Sequence, residues 1–159
     1  MTILREPLVY QIDGEPFEHM VVADPKAGPR PGILLFPNVL GTKDADVAYA
    51  QRMAELGYSL LVVDLYGQGK RTPRAEPDAA RYMNALRDDR ALLRDRVNAA
   101  HRLLKQQEGV APARTAAIGF CFGGLCVLDL ARSGADIAGG VSFHGVYDAP
   151  PFPNATISA

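Results

Sequence analysis

A chain of 159 residues, 48% apolar and 22% charged, is long enough for one domain with a real core, burying about 70% of its unfolded surface. Its net charge of −1 gives no bulk electrostatic case for nucleic acid or an anionic membrane, and its two cysteines, Cys121 and Cys126, are too few for a disulfide framework or a metal cluster. The stretch from Met1 to Pro16 holds no sustained apolar run and no segment approaches transmembrane length, so the expectation is a cytoplasmic protein with free thiols, no signal peptide and no membrane partner.

In chain order, Leu8 to Ile12 and Phe17 to Ala23 read as strands joined by the Asp13-Gly14 turn signal, an antiparallel opening hairpin. His19 is expected as a partly exposed strand residue. Asp24 to Pro31 is a surface loop rich in Pro and Gly. Gly32 to Phe36 is a continuous apolar run, as suits a strand buried on both faces. The loop Pro37-Asn38-Val39-Leu40-Gly41 follows, then a helix from about Asp44 to Leu56 with Val47, Ala50 and Ala54 inward and Gly57 past its end. Tyr58 to Asp64 is the next buried strand. Leu65 to Pro77 is a loop whose Lys70, Arg71 and Arg74 read as solvated charge. Helices are expected over about Asp78 to Leu86 and Asp88 to Gln107, the second with Leu93, Val97, Ala100 and Leu104 on one stripe, His101 on its flank, and Gly109 and Pro112 closing it. Ile137 to His144 reads as a last strand, and Gly145 to Ala159 as proline-rich coil. This alternation predicts an α/β fold, a mostly parallel sheet with helices on both faces and an N-terminal antiparallel hairpin, its reactive groups at the C-terminal ends of the strands.

The most informative stretch is Thr115 to Leu130. A short apolar run, Ala116 to Ile118, breaks at Gly119-Phe120-Cys121-Phe122-Gly123-Gly124 and resumes as a helical pattern. Strand, glycine-flanked turn and helix is the plan of a nucleophile elbow, G-x-Nu-x-G, with Cys121 at its centre. The tight turn requires residues without side chains at Gly119 and Gly123. The helix that follows presents free N–H groups beside the cysteine, an environment that favours thiolate over thiol, and the Phe122 N–H can donate to an oxyanion. The same glycine spacing also fits a phosphate-binding turn or close strand–helix packing; a cysteine centred between the glycines favours the elbow. Cys126 reads as a small buried helix residue.

With these residues in place the chain resembles the dienelactone hydrolase family of the α/β-hydrolase fold. The resemblance rests on the cysteine elbow, on Val63-Asp64-Leu65-Tyr66, on Pro37 to Gly41, and on Ser142-Phe143-His144-Gly145, from near residue 8 to the end. It implies a single domain over 1–159, ester or lactone hydrolysis by a Cys-His-Asp triad with Cys121 as nucleophile, and an oxyanion hole from the backbone N–H groups of Phe122 and Val39, with Leu40 if the loop register shifts by one. It implies no cofactor and no metal, and a small-molecule ester or lactone as the partner. The best-known family members carry a glutamate where Asn38 falls; Asn38 cannot take a proton but can hydrogen-bond a substrate carbonyl or the thiol. Arg81 lies near the family's cationic anchor for a substrate carboxylate, against a plain reading as a solvated helix arginine. His144 matches a strand-end position near the site.

The triad histidine and aspartate of the family fall beyond residue 159. The chain is therefore expected to be C-terminally incomplete, inactive alone, with its own missing C-terminal segment as a partner and with Val141 and Phe143 on an open edge. A Cys121–His144–Asp148 set within the chain is the disfavoured alternative. Two other functions stay open: a non-hydrolytic ligand-binding or interaction protein on a hydrolase scaffold, and, with less support from the C-x4-C spacing, a thiol-redox protein.

Overall fold

The structure, a computed structural model, describes residues 2–153. Six strands form one sheet in the order β1-β2-β4-β3-β5-β6. β1 (Leu4–Ile12) and β2 (Glu15–Ala23) pair antiparallel with Ile12 opposite Glu15. Asp13 and Gly14 both take positive φ, 51° and 82°, the geometry that an Asp-Gly hairpin turn favours. β2 pairs antiparallel with β4 (Ser59–Val62). From there the sheet is parallel: β4 to β3 (Arg30–Phe36), β3 to β5 (Val110–Phe120), and β5 to β6 (Gly139–Phe143).

Successive residues of a strand face opposite sides of its sheet. Along β3, Leu34 and Phe36 join a core with Leu93 and Val97 of α3 (Arg90–Lys105) and Leu125 and Leu130 of α4 (Phe122–Arg132). Ile33 and Leu35 join a second core with Ala50 and Ala54 of α1 (Asp44–Glu55). Burial on both sides explains why this run shows no polar alternation. Each such side chain contributes roughly 1.5–3 kcal/mol, and the two cores fix the C-terminal ends of β3, β4 and β5 side by side. α2 (Arg81–Asp88) starts later than its sequence suggests, because Pro77 to Ala80 are spent in turn.

Three sequence expectations are corrected. First, the stretch around Pro112 is strand, not a helix stop. Val110 and Ala111 pair with Arg30 and Pro31, the register shifts between Pro31 and Gly32, and pairing resumes at Thr115. Pro112 falls in the unpaired bulge, where its missing N–H costs nothing. Second, His19 is 1% exposed. It shares a strand face with Phe17, over whose ring Arg96 of α3 lies at 4.9 Å. Third, His101 is buried, because α3 is enclosed over a wider arc than one stripe. Its Nε2 lies 2.9 Å from Thr115 Oγ1, which itself donates to the Asp136 carbonyl, so the histidine is the donor. Burial pushes its pKa down, with Lys105 adding to the effect. Among the described residues no helix is long and apolar enough to cross a membrane, and no three His, Cys, Asp or Glu cluster to hold a metal.

Candidate active site

Cys121 sits between β5 and α4 at φ 55° and ψ −115°. Such a conformation costs a non-glycine residue on the order of 1–3 kcal/mol and persists only where its surroundings hold it. Two hydrogen bonds do so: the Cys121 N–H donates to Phe143 O at 2.9 Å, and its carbonyl accepts from Gly124 N at 2.9 Å. The flanking glycines are required by close approach. A Cβ on Gly119 would overlap the Gly123 carbonyl, and one on Gly123 would overlap the carbonyls of Phe36 and Pro37 at the end of β3. The elbow is thus packed backbone against backbone onto the β3–α1 loop. The Phe122 N–H opens α4 and has no intrahelical acceptor.

That loop is a turn locked at several points. Asn38 O accepts from Gly41 N at 3.1 Å, and Gly41 takes φ 81°. Asn38 Oδ1 accepts from Leu40 N at 3.1 Å and from Lys43 Nζ at 3.4 Å. The Leu40 N–H is therefore committed to the turn. The Val39 N–H shares a planar trans peptide with Asn38 O and so points the opposite way, outward. Tyr66 Oη donates to Val39 O at 3.0 Å, and the Tyr66 ring stacks on Phe122 at 6.1 Å.

Tyr66 is held by Asp64, a 3% exposed carboxylate at the end of β4. Its Oδ1 accepts from the N–H groups of Tyr66 and Gly67, both at 3.0 Å, and its Oδ2 accepts from Glu18 N at 3.0 Å. Arg71 Nη1 adds a contact at 3.4 Å, so one loop cation expected to be solvated bridges to a buried acid. The Asp64 N–H donates to His19 Nδ1 at 3.0 Å. Burial lowers the His19 pKa to about 4, with Asp64 opposing and Arg71 reinforcing the shift. Sequence reasoning missed this node. The available signal was Asp64 two and three residues before Tyr66 and Gly67, the spacing by which an Asp side chain caps the turn that follows it.

The other predicted residues are less closely engaged. His144 follows Phe143, the acceptor of the Cys121 N–H, at φ 42°; its ring is 6.5 Å from that of Phe120 and exposed. No hydrogen bond joins His144 to Cys121 among the described residues. The Asp148 carboxylate pairs with Arg87, and its carbonyl accepts from Arg90 at 3.2 Å and Arg132 at 3.4 Å. It is held by the helices, and a Cys121–His144–Asp148 set does not form. Arg81, the first residue of α2, binds Glu76 at 2.6 Å and lies 4.7 Å from the Tyr82 ring. Tyr82 in turn packs 5.4 Å from Tyr66, so Arg81 connects to the site through rings. Cys126 is fully buried, burial pushes its thiol pKa up, and both cysteines are free. A 490 Å³ cavity lined by the β1–β2 hairpin, the 24–29 loop and Gln107 to Gly109 lies at the opposite edge of the sheet and touches no elbow residue.

A strained residue between a parallel strand and a helix, on a mixed sheet that opens with an antiparallel hairpin, defines the α/β-hydrolase fold. Within that class the chain belongs to the dienelactone hydrolase family, whose sequence pattern matches residues 18–159. The solved structure m3DLH is 35% identical with a TM-score of 0.86, covering 94% of this chain and 62% of its own. A dienelactone hydrolase-like promiscuous phosphotriesterase from metagenomic libraries is also 35% identical, with a TM-score of 0.84 over 90% of this chain and 59% of its own. A Bradyrhizobium sp protein named "Probable 2-oxo-3-(5-oxofuran-2-ylidene)propanoate lactonase" is 32% identical over 126 residues, 76% of this chain. The chain spans about half of that relative's length, 48%.

Proposed function

We propose that this protein is a hydrolase of a small ester or lactone, with Cys121 as its nucleophile. The Cys121 sulfur attacks the carbonyl carbon, the carbonyl oxygen takes the negative charge, and the N–H groups of Phe122 and Val39 donate to it. Collapse of that adduct breaks the ester C–O bond; the departing alkoxide takes up a proton equivalent to the one the thiol lost, leaving as the alcohol or, in a lactone, staying tethered as a hydroxyl, and water then cleaves the thioester to release the acid and return the thiol. Asn38 through its amide donors, His144 and Arg81 are the proposed polar contacts for substrate, Arg81 after release from Glu76. Sustained turnover further needs a base to activate water, and among the described residues none is hydrogen-bonded to the Cys121 sulfur. In this reading a segment outside them supplies the triad histidine and aspartate.

The observation that carries the proposal is the strained Cys121 backbone, held by Phe143 O and Gly124 N with glycines packed on either side. A fold that needs a cysteine only for packing gains nothing from holding it in that conformation. The test is incubation with p-nitrophenyl acetate and peptide mass spectrometry. An acetyl group on Cys121, absent from Cys121→Ala, is the expected result; nitrophenolate release that survives Cys121→Ala defeats the reading. A ligand-binding role draws on the lack, among the described residues, of a hydrogen bond between Cys121 and a histidine. It is favoured if Cys121 is acylated stoichiometrically and the acyl group then stays in place when the 1–159 chain is supplied with its family's C-terminal segment.

A further inference from the structure

Tyr66 touches both residues to which the proposed reading gives the oxyanion donors. Its hydroxyl donates to Val39 O at 3.0 Å, and its ring stacks on Phe122 at 6.1 Å and 18°. The two donors come from separate elements, one from the β3–α1 loop and one from the first turn of α4. Pro37, Asn38, Val63 and Phe122 line the place where Tyr66 meets them.

We propose that Tyr66 is a positioning residue that sets the gap between the Val39 and Phe122 N–H groups. The inference rests on the reading of Cys121 as nucleophile. Each contact of Tyr66 fixes a different coordinate. The Asp64 carboxylate holds the Tyr66 backbone at 3.0 Å, and His19 holds Asp64 at 3.0 Å, so the ring is aimed from the rigid end of β4. The ring then bears on Phe122. The hydroxyl holds the carbonyl of the Val39–Leu40 peptide, while Asn38 Oδ1 holds the N–H of that same peptide at 3.1 Å. With both polar ends of this peptide fixed and Asn38 O bound to Gly41 N, the preceding peptide cannot rotate, and the Val39 N–H keeps its outward direction. The phenol is 4% exposed, and burial drives its pKa upward, so it stays a neutral donor throughout the working range. Preorganised donors are effective because they need no reorganisation as charge develops, and a misplacement of about 1 Å can cost on the order of a hundredfold in rate.

The test is Tyr66→Phe in the 159-residue chain, which keeps the ring stack and removes only the hydroxyl. Two reactions of Cys121 are compared. Acylation by p-nitrophenyl acetate passes through a tetrahedral oxyanion; alkylation by iodoacetamide does not. Acylation is expected to slow by roughly tenfold, less than the hundredfold or more of deleting a donor, with alkylation unchanged. Equal acylation rates in the two proteins overturn the inference, as does an equal slowing of both reactions, which places the effect on the thiol or the fold. If the unsubstituted chain is not acylated at all, the nucleophile reading falls and the role of Tyr66 falls with it. Tyr66→Leu, which removes ring and hydroxyl together, is expected to slow acylation further than Tyr66→Phe while iodoacetamide still alkylates; an acylation rate at or above that of Tyr66→Phe counts against the spacer.

Discussion

The two flanks of Cys121 share backbone contact and differ in charge. On the β3 side the elbow is fixed by neutral close approach: Gly119 against Gly123, and Gly123 against the carbonyls of Phe36 and Pro37. On the β6 side Gly124 also approaches Gly145 and Ser142 closely, and the chain beyond them is held by charge as well. Arg90 and Asp129 form a buried bidentate pair at 2.9 and 2.7 Å, and Arg90, Arg132 and Arg87 all reach Asp148. Steric contact fixes position to a fraction of an ångström and is indifferent to pH and salt. Ion pairs at the surface tolerate movement and are screened. The proposed oxyanion donors both lie on the steric side, where precision matters for rate. His144, exposed and at positive φ, lies on the other.

The largest expected effect comes from breaking the steric side. Gly123→Ala puts a methyl group onto backbone carbonyls that cannot move without separating β3 from α4. Overpacking of flexible cores costs about 1–3 kcal/mol; here the obstruction is main chain, and the variant is expected to exceed that range and fail to give a cooperative urea transition. A transition within about 1 kcal/mol of the parent would show the joint to be soft. Next is the charged side. Asp129→Ala strands Arg90, whose side chain is 5% exposed, and is expected to cost about 3–5 kcal/mol. Arg87→Ala removes a pair whose side chains are 36% and 48% exposed, and is expected to change stability by less than about 1 kcal/mol. Urea unfolding of the two variants side by side checks the contrast; equal losses would contradict it.

One titrating group sits on the steric side, and its sign can be worked out. The His19 pKa is lowered from 6.5 to about 4 on folding, chiefly by burial. Between those values the unfolded chain binds a proton that the folded one does not, so stability falls with decreasing pH across that window and is level above 6.5 and below 4. The loss amounts to about 3 kcal/mol at most. His101 is also lowered and adds in the same direction. His19→Asn retains an oxygen acceptor for the Asp64 N–H and removes the titration. Its unfolding free energy is expected to fall less steeply between pH 6.5 and pH 4 than that of the parent, and parallel curves would refute the assignment.

The steric side was legible in the sequence because its requirements are local. A glycine on each side of Cys121, two residues away, after an apolar run and before a helical one, leaves few alternatives, and the mostly parallel sheet followed from the alternation of strand and helix patterns. What was not legible depends on contacts far apart in sequence. His19 acts through Asp64, 45 residues away, and His101 through Thr115; nothing within a window of ten residues separates a buried, bonded histidine from an exposed one. The bulge at Pro112 was hidden because proline was read by its local meaning, while the pairing of Val110 and Ala111 is set by the distant Arg30 and Pro31. Asn38 was read for its chemistry toward substrate; its side-chain oxygen is engaged by Leu40 and Lys43.

The smallest expected effect lies on the charged flank and concerns β6. This strand closes the sheet order, and its Val141 and Phe143 are 48% and 40% exposed. Among the described residues its outer edge pairs with nothing. An apolar outer strand with free N–H and C=O groups templates association, and a lysine there opposes it by charge and by the water it retains. Val141 loses little buried area on replacement, so Val141→Lys is expected to leave the unfolding free energy within about 0.5 kcal/mol. The concentration at which light scattering first rises should increase. A destabilisation well beyond that margin would mean that Val141 is covered in solution and that the charged flank is closed more firmly than its exposure indicates. Unchanged stability with reduced scattering would leave the contrast as drawn: a nucleophile fixed on one side by backbone contact, and on the other a strand whose edge is open to a partner.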